Sequence, residues 1–212
     1  MTILKKLFSG LKMGWPAIIA FAVVIGVLVG AICSATFLDN TSLHDIAVTP
    51  EWWVIFAFII ASNCSKNWEA ALKIFVFFLI SQPLIYGTEV LLGHLTADMA
   101  TYYYASIWGP ITLLTLPGGF IAYYIQKQNV LGSIVLGLGC SLQLDLGLYY
   151  ALEFLAAPPQ HLLTTVVCFG SIAAFTLALQ ESTRNRIIVL ATSVAACVLI
   201  LGFVAVRNTM LI

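Results

Sequence analysis

Residues 15–37 read WPAIIAFAVVIGVLVGAICSATF, an uncharged run with Lys12 just before it and Asp39 just after it. An α-helix rising 1.5 Å per residue needs about 20 such residues to cross a hydrocarbon core roughly 30 Å thick. The run therefore predicts a transmembrane helix. Lys5, Lys6 and Lys12 ahead of it resemble the basic start of a signal peptide. The apolar run, however, is longer than the about 7–15 residues of a cleaved segment, so an uncleaved first helix is expected.

Reading outward, the charges change sign each time the chain leaves an apolar run. Lys5, Lys6 and Lys12 are followed by Asp39, Asp45 and Glu51, then Lys66 and Lys73, then Glu89 and Asp98, then Lys127, then Glu153, then Arg184 and Arg186. Lys and Arg are retained on the cytoplasmic side of a membrane, and alternating crossings produce this segregation. Cutting at polar and turn-forming residues gives seven spans, Trp15–Phe37, Pro50–Cys64, Glu69–Leu92, Thr101–Ile125, Val130–Ala156, His161–Gln180 and Ile187–Val206. The second is the shortest, and the change of sign from Glu51 to Lys66 argues that it crosses. An odd number of crossings puts the N-terminus in the cytoplasm and the C-terminus outside, leaving Arg207 as the one basic residue on the outer side.

Composition agrees: 61% hydrophobic and 8% charged residues, with a mean hydropathy of +1.04, would leave a water-soluble fold of this size insoluble. The expected fold is all-α, a polytopic transmembrane helix bundle of one domain over residues 15–212. Residues 1–14 precede it as a short interfacial segment, because Ile3, Leu4, Leu7, Phe8 and Leu11 recur at helical spacing beside the lysines. Trp15, Trp68, Tyr123 and Tyr124 on the inner side, with Trp52, Trp53, Tyr102, Tyr103, Tyr104, Tyr149 and Tyr150 on the outer, read as aromatic belts. The expected partners are the lipid bilayer, a small solute or cation, and a membrane protein partner or a second copy. No basic stripe exists to displace counterions from phosphates, so nucleic acid is excluded. The expected location is the plasma membrane of a prokaryotic cell.

Two rows of small residues predict close helix packing. Ala22, Gly26, Gly30 and Ser34 fall four apart on the first span, and Ser133, Gly137 and Ser141 on the fifth. The next step of the second row is Asp145, an acid within the hydrocarbon core. Burying it there costs about 2.5–3.5 kcal/mol on insertion scales, which calls for a partner, water or protonation. Gln82 is expected opposite, with Tyr86 and Glu89 on the same face by i, i+4, i+7 spacing. Pro83 removes a backbone donor from that helix, and Pro110 with Pro117, Gly118 and Gly119 loosens the next. Broken helices of this kind line many solute sites.

Enzyme chemistry lacks its parts. His44, His94 and His161 have no metal-site spacing, the five cysteines form no CxxC pair, and neither a GxSxG elbow nor a phosphate-binding loop occurs. No metal and no cofactor is expected. The function expected from these residues is binding or transport of a small solute, with a proton- or cation-linked acid. The alternative is a non-transporting membrane subunit or scaffold that meets a partner through Lys66, Lys73, Arg184 and Arg186. A lipid-modifying enzyme using Asp145 with Glu89 or Glu153 is the third reading.

Overall fold

The computed structural model describes residues 3–156 and 160–210. Residues 1 and 2 of the expected interfacial segment, and the side chain of Arg207, lie outside the described residues. The helices are α1 (Ile3–Ser9), α2 (Trp15–Cys33), α3 (Ser42–Val48), α4 (Pro50–Ser62), α5 (Asn67–Leu91), α6 (Ala97–Tyr103), α7 (Gly109–Ala122), α8 (Val130–Ala156), α9 (Leu162–Leu179) and α10 (Thr183–Met210). No strand occurs among the described residues. A π-helical turn, Tyr104–Trp108, joins α6 to α7, so the two run as one rod over Ala97–Gln126. Among the described residues six helices are long and apolar enough to cross a membrane: α2, α5, the α6–α7 rod, α8, α9 and α10. They match six of the seven expected spans. The second span is a helix of only 13 residues, α4, about 20 Å long at 1.5 Å per residue.

The chain forms two compact units, Met1–Tyr123 and Tyr124–Ile212. In the first, the glycines of α2 let its backbone lie directly on α5. A Cβ added at Gly26 would stand 2.8 Å from the Ser81 carbonyl oxygen, and one at Gly30 would stand 2.6 Å from that of Ile85 and 2.7 Å from the Thr88 Cβ. Ala22, in the same row, is 0% exposed, whereas Ser34 caps the helix by donating its hydroxyl to the Gly30 carbonyl. Lipid offers apolar side chains as good a solvent as another helix does, so close backbone approach and dispersion supply the association. On the other side of α2, Val23, Val24, Val27 and Leu28 stay exposed, as a lipid-facing surface requires.

The register of these contacts gives direction. Lys73 donates to the Met13 carbonyl, Phe21 packs on Phe77 with ring centroids 5.0 Å apart, Gly26 meets Ser81 and Gly30 meets Ile85. Numbers rise together on both helices, so α2 and α5 are parallel. Helix α4 runs the other way. It starts at Thr49, whose extended backbone and following Pro50 set the first turn. It ends at Asn63, whose side chain donates to the Leu7 carbonyl and accepts from the Leu11 N–H, both ahead of α2. The α6–α7 rod is also antiparallel to α5: Gly119 lies against Ala71, while Tyr103 stacks on Tyr86. Phe21, Trp53, Phe56, Phe77 and Phe78 interlock where α2, α4 and α5 meet, with centroids 5.0–6.2 Å apart. Such aromatic pairs each add about 0.5–1.5 kcal/mol beyond their burial.

The second unit is a three-helix bundle. Gly137 of α8 faces Val189 and Thr192 of α10, and the Ser193 hydroxyl donates to the Gly137 carbonyl at 3.1 Å. Ser133 and Ser141 of the same row are buried. Helices α8 and α10 are parallel, and α9 returns between them in sequence, with Gly147 against Cys168 and Tyr150 against His161. A buried amide ties one end together. Gln180, 0% exposed, donates to the carbonyls of Ile125 (3.0 Å) and Lys127 (3.3 Å) and accepts from Asn185 (3.2 Å), while Gln128 donates to the Leu179 carbonyl.

Candidate functional site

Gln82, Tyr86 and Glu89 stand on one face of α5, and in the first unit that face is turned to a cavity of about 280 Å³. Its lining comes from α2 (Cys33), α3 (His44), α4 (Trp53), α5 (Gln82, Ile85, Tyr86, Glu89) and the rod (Tyr103, Trp108), closed by His94 and Leu95 from the loop after α5. Ligand sites span about 300–1,000 Å³, which puts this cavity just below the small end of that range.

Local chemistry explains how each wall is placed. Helix α5 passes through Pro83 without interruption, because its neighbours hold it on both sides. Pro83 has no N–H to give to the Leu79 carbonyl four residues back. The opposite wall depends on the π-helical turn, in which the Gly109 N–H reaches the Tyr104 carbonyl, five residues back. Pro110 follows and cannot extend the ordinary i to i−4 ladder, so the wider turn absorbs the mismatch and points Trp108 at the cavity. Tyr86 stacks on Tyr103 with centroids 6.4 Å apart and 19° between planes, and Trp53 meets Trp108 at 5.9 Å. These four rings make the cavity an aromatic slot.

Its polar groups are few and incompletely used. Gln82 is 1% exposed, and its side-chain Nε2 has no hydrogen-bond partner among the described residues. Trp53 is 4% exposed, and its indole N–H is likewise unpartnered. Leaving such donors buried and unpaired costs about 1–3 kcal/mol each, a cost that a bound acceptor would remove. At the outer end Glu89, 6% exposed, has His94, Cys33 and Tyr86 as its electrostatic neighbours. His44 at the same end lies 3.4 Å from Asp39.

The remaining residues singled out by the sequence lie elsewhere. Asp145 belongs to the second unit, half-buried on α8, with the Cys197 thiol of α10 as an electrostatic neighbour. Pro117 lines a separate apolar groove with Trp68, Leu72 and Phe120 at the other end of the rod. Gly119 packs on Ala71, and Gly118 has open space beside it. Among the described residues no group of three His, Cys, Asp or Glu side chains could hold a metal ion. Sequence reasoning missed Trp53, Tyr103 and Trp108 as cavity walls. Trp53 and Tyr103 sit where belt aromatics are expected, and the usable signal was the Gly109–Pro110 pair that follows Trp108. Comparison of the chain with protein-family models, curated proteins and solved structures found no match.

Proposed function

We propose that the protein is an integral membrane protein that binds a small solute in the first-unit cavity, the binding step of a transport or sensing role. The all-helical fold with six apolar helices of spanning length fits membrane insertion. The observation that carries the binding reading is the buried, unpartnered amide N–H of Gln82 in an aromatic-lined cavity that Glu89 also lines. Buried polar groups are generally hydrogen-bonded, so a donor left over in the lining of a cavity calls for an acceptor on a guest.

A thermal-shift screen of detergent-purified protein against a chemically broad panel of small solutes tests this, since a ligand of the folded state raises apparent stability by mass action. At least one solute should raise the melting temperature of the wild type and leave Gln82→Leu unmoved. A panel that shifts neither protein, or shifts both alike, would remove the site.

The same reading has seven crossings, with the N-terminus cytoplasmic and the C-terminus outside. Parallel α2 and α5 are successive long helices, so the chain between them has to return to the side on which α2 began. The α3–α4 segment is the only path, and the alternation of Asp39 to Lys66 agrees with it. The described native cysteines Cys33, Cys64, Cys140, Cys168 and Cys197 are buried, so single cysteines at Thr36, Ser65 and Thr96 can be read with an impermeant maleimide. Positions 36 and 96 should label from outside intact cells and position 65 only after lysis. Labelling of 36 and 65 from the same side would make α4 a re-entrant segment and the count six.

A further inference from the structure

Resting on the cavity as a binding site, we infer the chemical class of its occupant: a small organic cation with an aromatic face, carrying a hydrogen-bond acceptor at the end away from its charge. Three features of the lining converge on that class. The first is donor excess at the inner end. An indole N–H can only donate, and the Trp53 N–H and a Gln82 amide N–H, on two side chains that line this cavity, are both unpartnered. Both call for a carbonyl, ether or hydroxyl oxygen, or a ring nitrogen, on the ligand.

The second is the set of rings. Trp53, Tyr86, Tyr103 and Trp108 present four aromatic side chains to a volume of about 280 Å³. Rings of this kind favour a flat π-system by offset stacking and a cation by attraction to the ring quadrupole, the latter worth about 2 kcal/mol or more when water is excluded. A flexible polyol would leave those faces unused. The third is Glu89, two helical turns from Gln82 and roughly 10 Å further along α5 at 1.5 Å per residue. Among the described residues no lysine or arginine lines this cavity, so an ammonium on the ligand would be the cation its carboxylate meets. The His94 side chain lines the same end of the cavity.

The polarity of the site is thus ordered along α5, donors at Gln82 and carboxylate at Glu89, with aromatic walls between. A matching ligand has its acceptor and its ammonium on opposite sides of a ring. The probe 4-(aminomethyl)benzamide has this layout. Three analogues each delete one feature: 4-methylbenzamide lacks the ammonium, benzylamine lacks the acceptor, and 4-(aminomethyl)cyclohexanecarboxamide lacks the aromatic face.

Binding of the four compounds to detergent-purified, full-length protein is measured by titration calorimetry, alongside Glu89→Gln and Trp53→Phe, whose melting temperatures serve as folding controls. The wild type should bind the full probe at least about tenfold more tightly than 4-methylbenzamide, the size expected for a charge-assisted hydrogen bond. In Glu89→Gln that ratio should fall to near one. Trp53→Phe keeps an aromatic ring and loses the N–H while the Gln82 amide remains, so it should reduce the preference for the probe over benzylamine while retaining the preference for the ammonium. Absence of binding by the full probe at millimolar concentration overturns the class, as does an ammonium preference that survives Glu89→Gln. If the probe fails while an unrelated solute stabilises the wild type and not Gln82→Leu, the cavity stands as a binding site and only the class is lost. If no solute in either experiment binds, both fall.

Discussion

Gly30→Leu is expected to lower the stability of the purified protein by about 3 kcal/mol or more, the upper end of what overpacking costs. For a chain of this length that corresponds to a fall of roughly 6–12 °C in melting temperature. The reason is what a side chain would meet. At Gly30 the nearest atoms are the Ile85 carbonyl oxygen and the Thr88 Cβ, both rigidly part of α5, so no rotamer change can make room. Gly26→Leu meets the Ser81 carbonyl and the Leu84 Cβ and should behave alike. Gly87, on the same α5, has nothing within 4 Å of an added Cβ. Gly87→Ala should therefore be neutral or raise stability by about 1 kcal/mol through helix propensity. Equal melting of Gly30→Leu and Gly87→Ala would show that α2 and α5 do not touch through this row.

Gln180→Leu should have a comparable effect on the second unit for a different reason. The carboxamide is the hydrogen-bond partner of two backbone carbonyls before α8 and of Asn185 on α10, and leucine of similar volume would leave all three without it. At about 1–3 kcal/mol for each unmet buried group, a loss near 3 kcal/mol is expected. Gln180→Glu keeps the shape but has no N–H for those carbonyls, so it should be no better than leucine. Gln128, exposed to solvent, also bridges α9 to the preceding turn, yet Gln128→Ala should cost under about 1 kcal/mol because water can replace it. Unfolding followed by circular dichroism in detergent decides between them; a Gln180→Leu curve superimposable on the wild type would mean that the amide is not holding the bundle together.

Spacing alone carried a good part of this structure. The six long helices announce themselves as predominantly apolar runs, and the face shared by Gln82, Tyr86 and Glu89 follows from 3.6 residues per turn. Gly26 and Gly30 stand out because four-residue spacing of small side chains has a physical meaning in lipid. What periodicity cannot carry is convergence between distant segments. Trp53 comes from a helix of 13 residues and Trp108 from a π-helical turn, and nothing in either stretch says that their rings stand 5.9 Å apart. Gln180 falls at the end of an expected span, and spacing does not say that its amide is buried in a network with Ser133 and Asn185. The division into two compact units also has no marker in composition, since neither a linker nor a change of residue usage falls near Tyr123.

The glycine contact bears on how the cavity could admit a guest. Ser81, Ile85 and Thr88 are seated against α2, and Gln82, Tyr86 and Glu89 are their neighbours around the same α5. Turning α5 to open the cavity would drag carbonyls across Gly26 and Gly30, where there is no slack for even one methyl group. That helix is a fixed doorpost. The short α4 and the Tyr104–Trp108 turn bear on the cavity through side chains and loop ends, and a rotation of the Trp53 or Trp108 ring breaks no backbone contact. On the binding reading, any opening of the cavity falls to the walls that the short α4 and that turn provide, and helix α5 keeps its place while the guest changes.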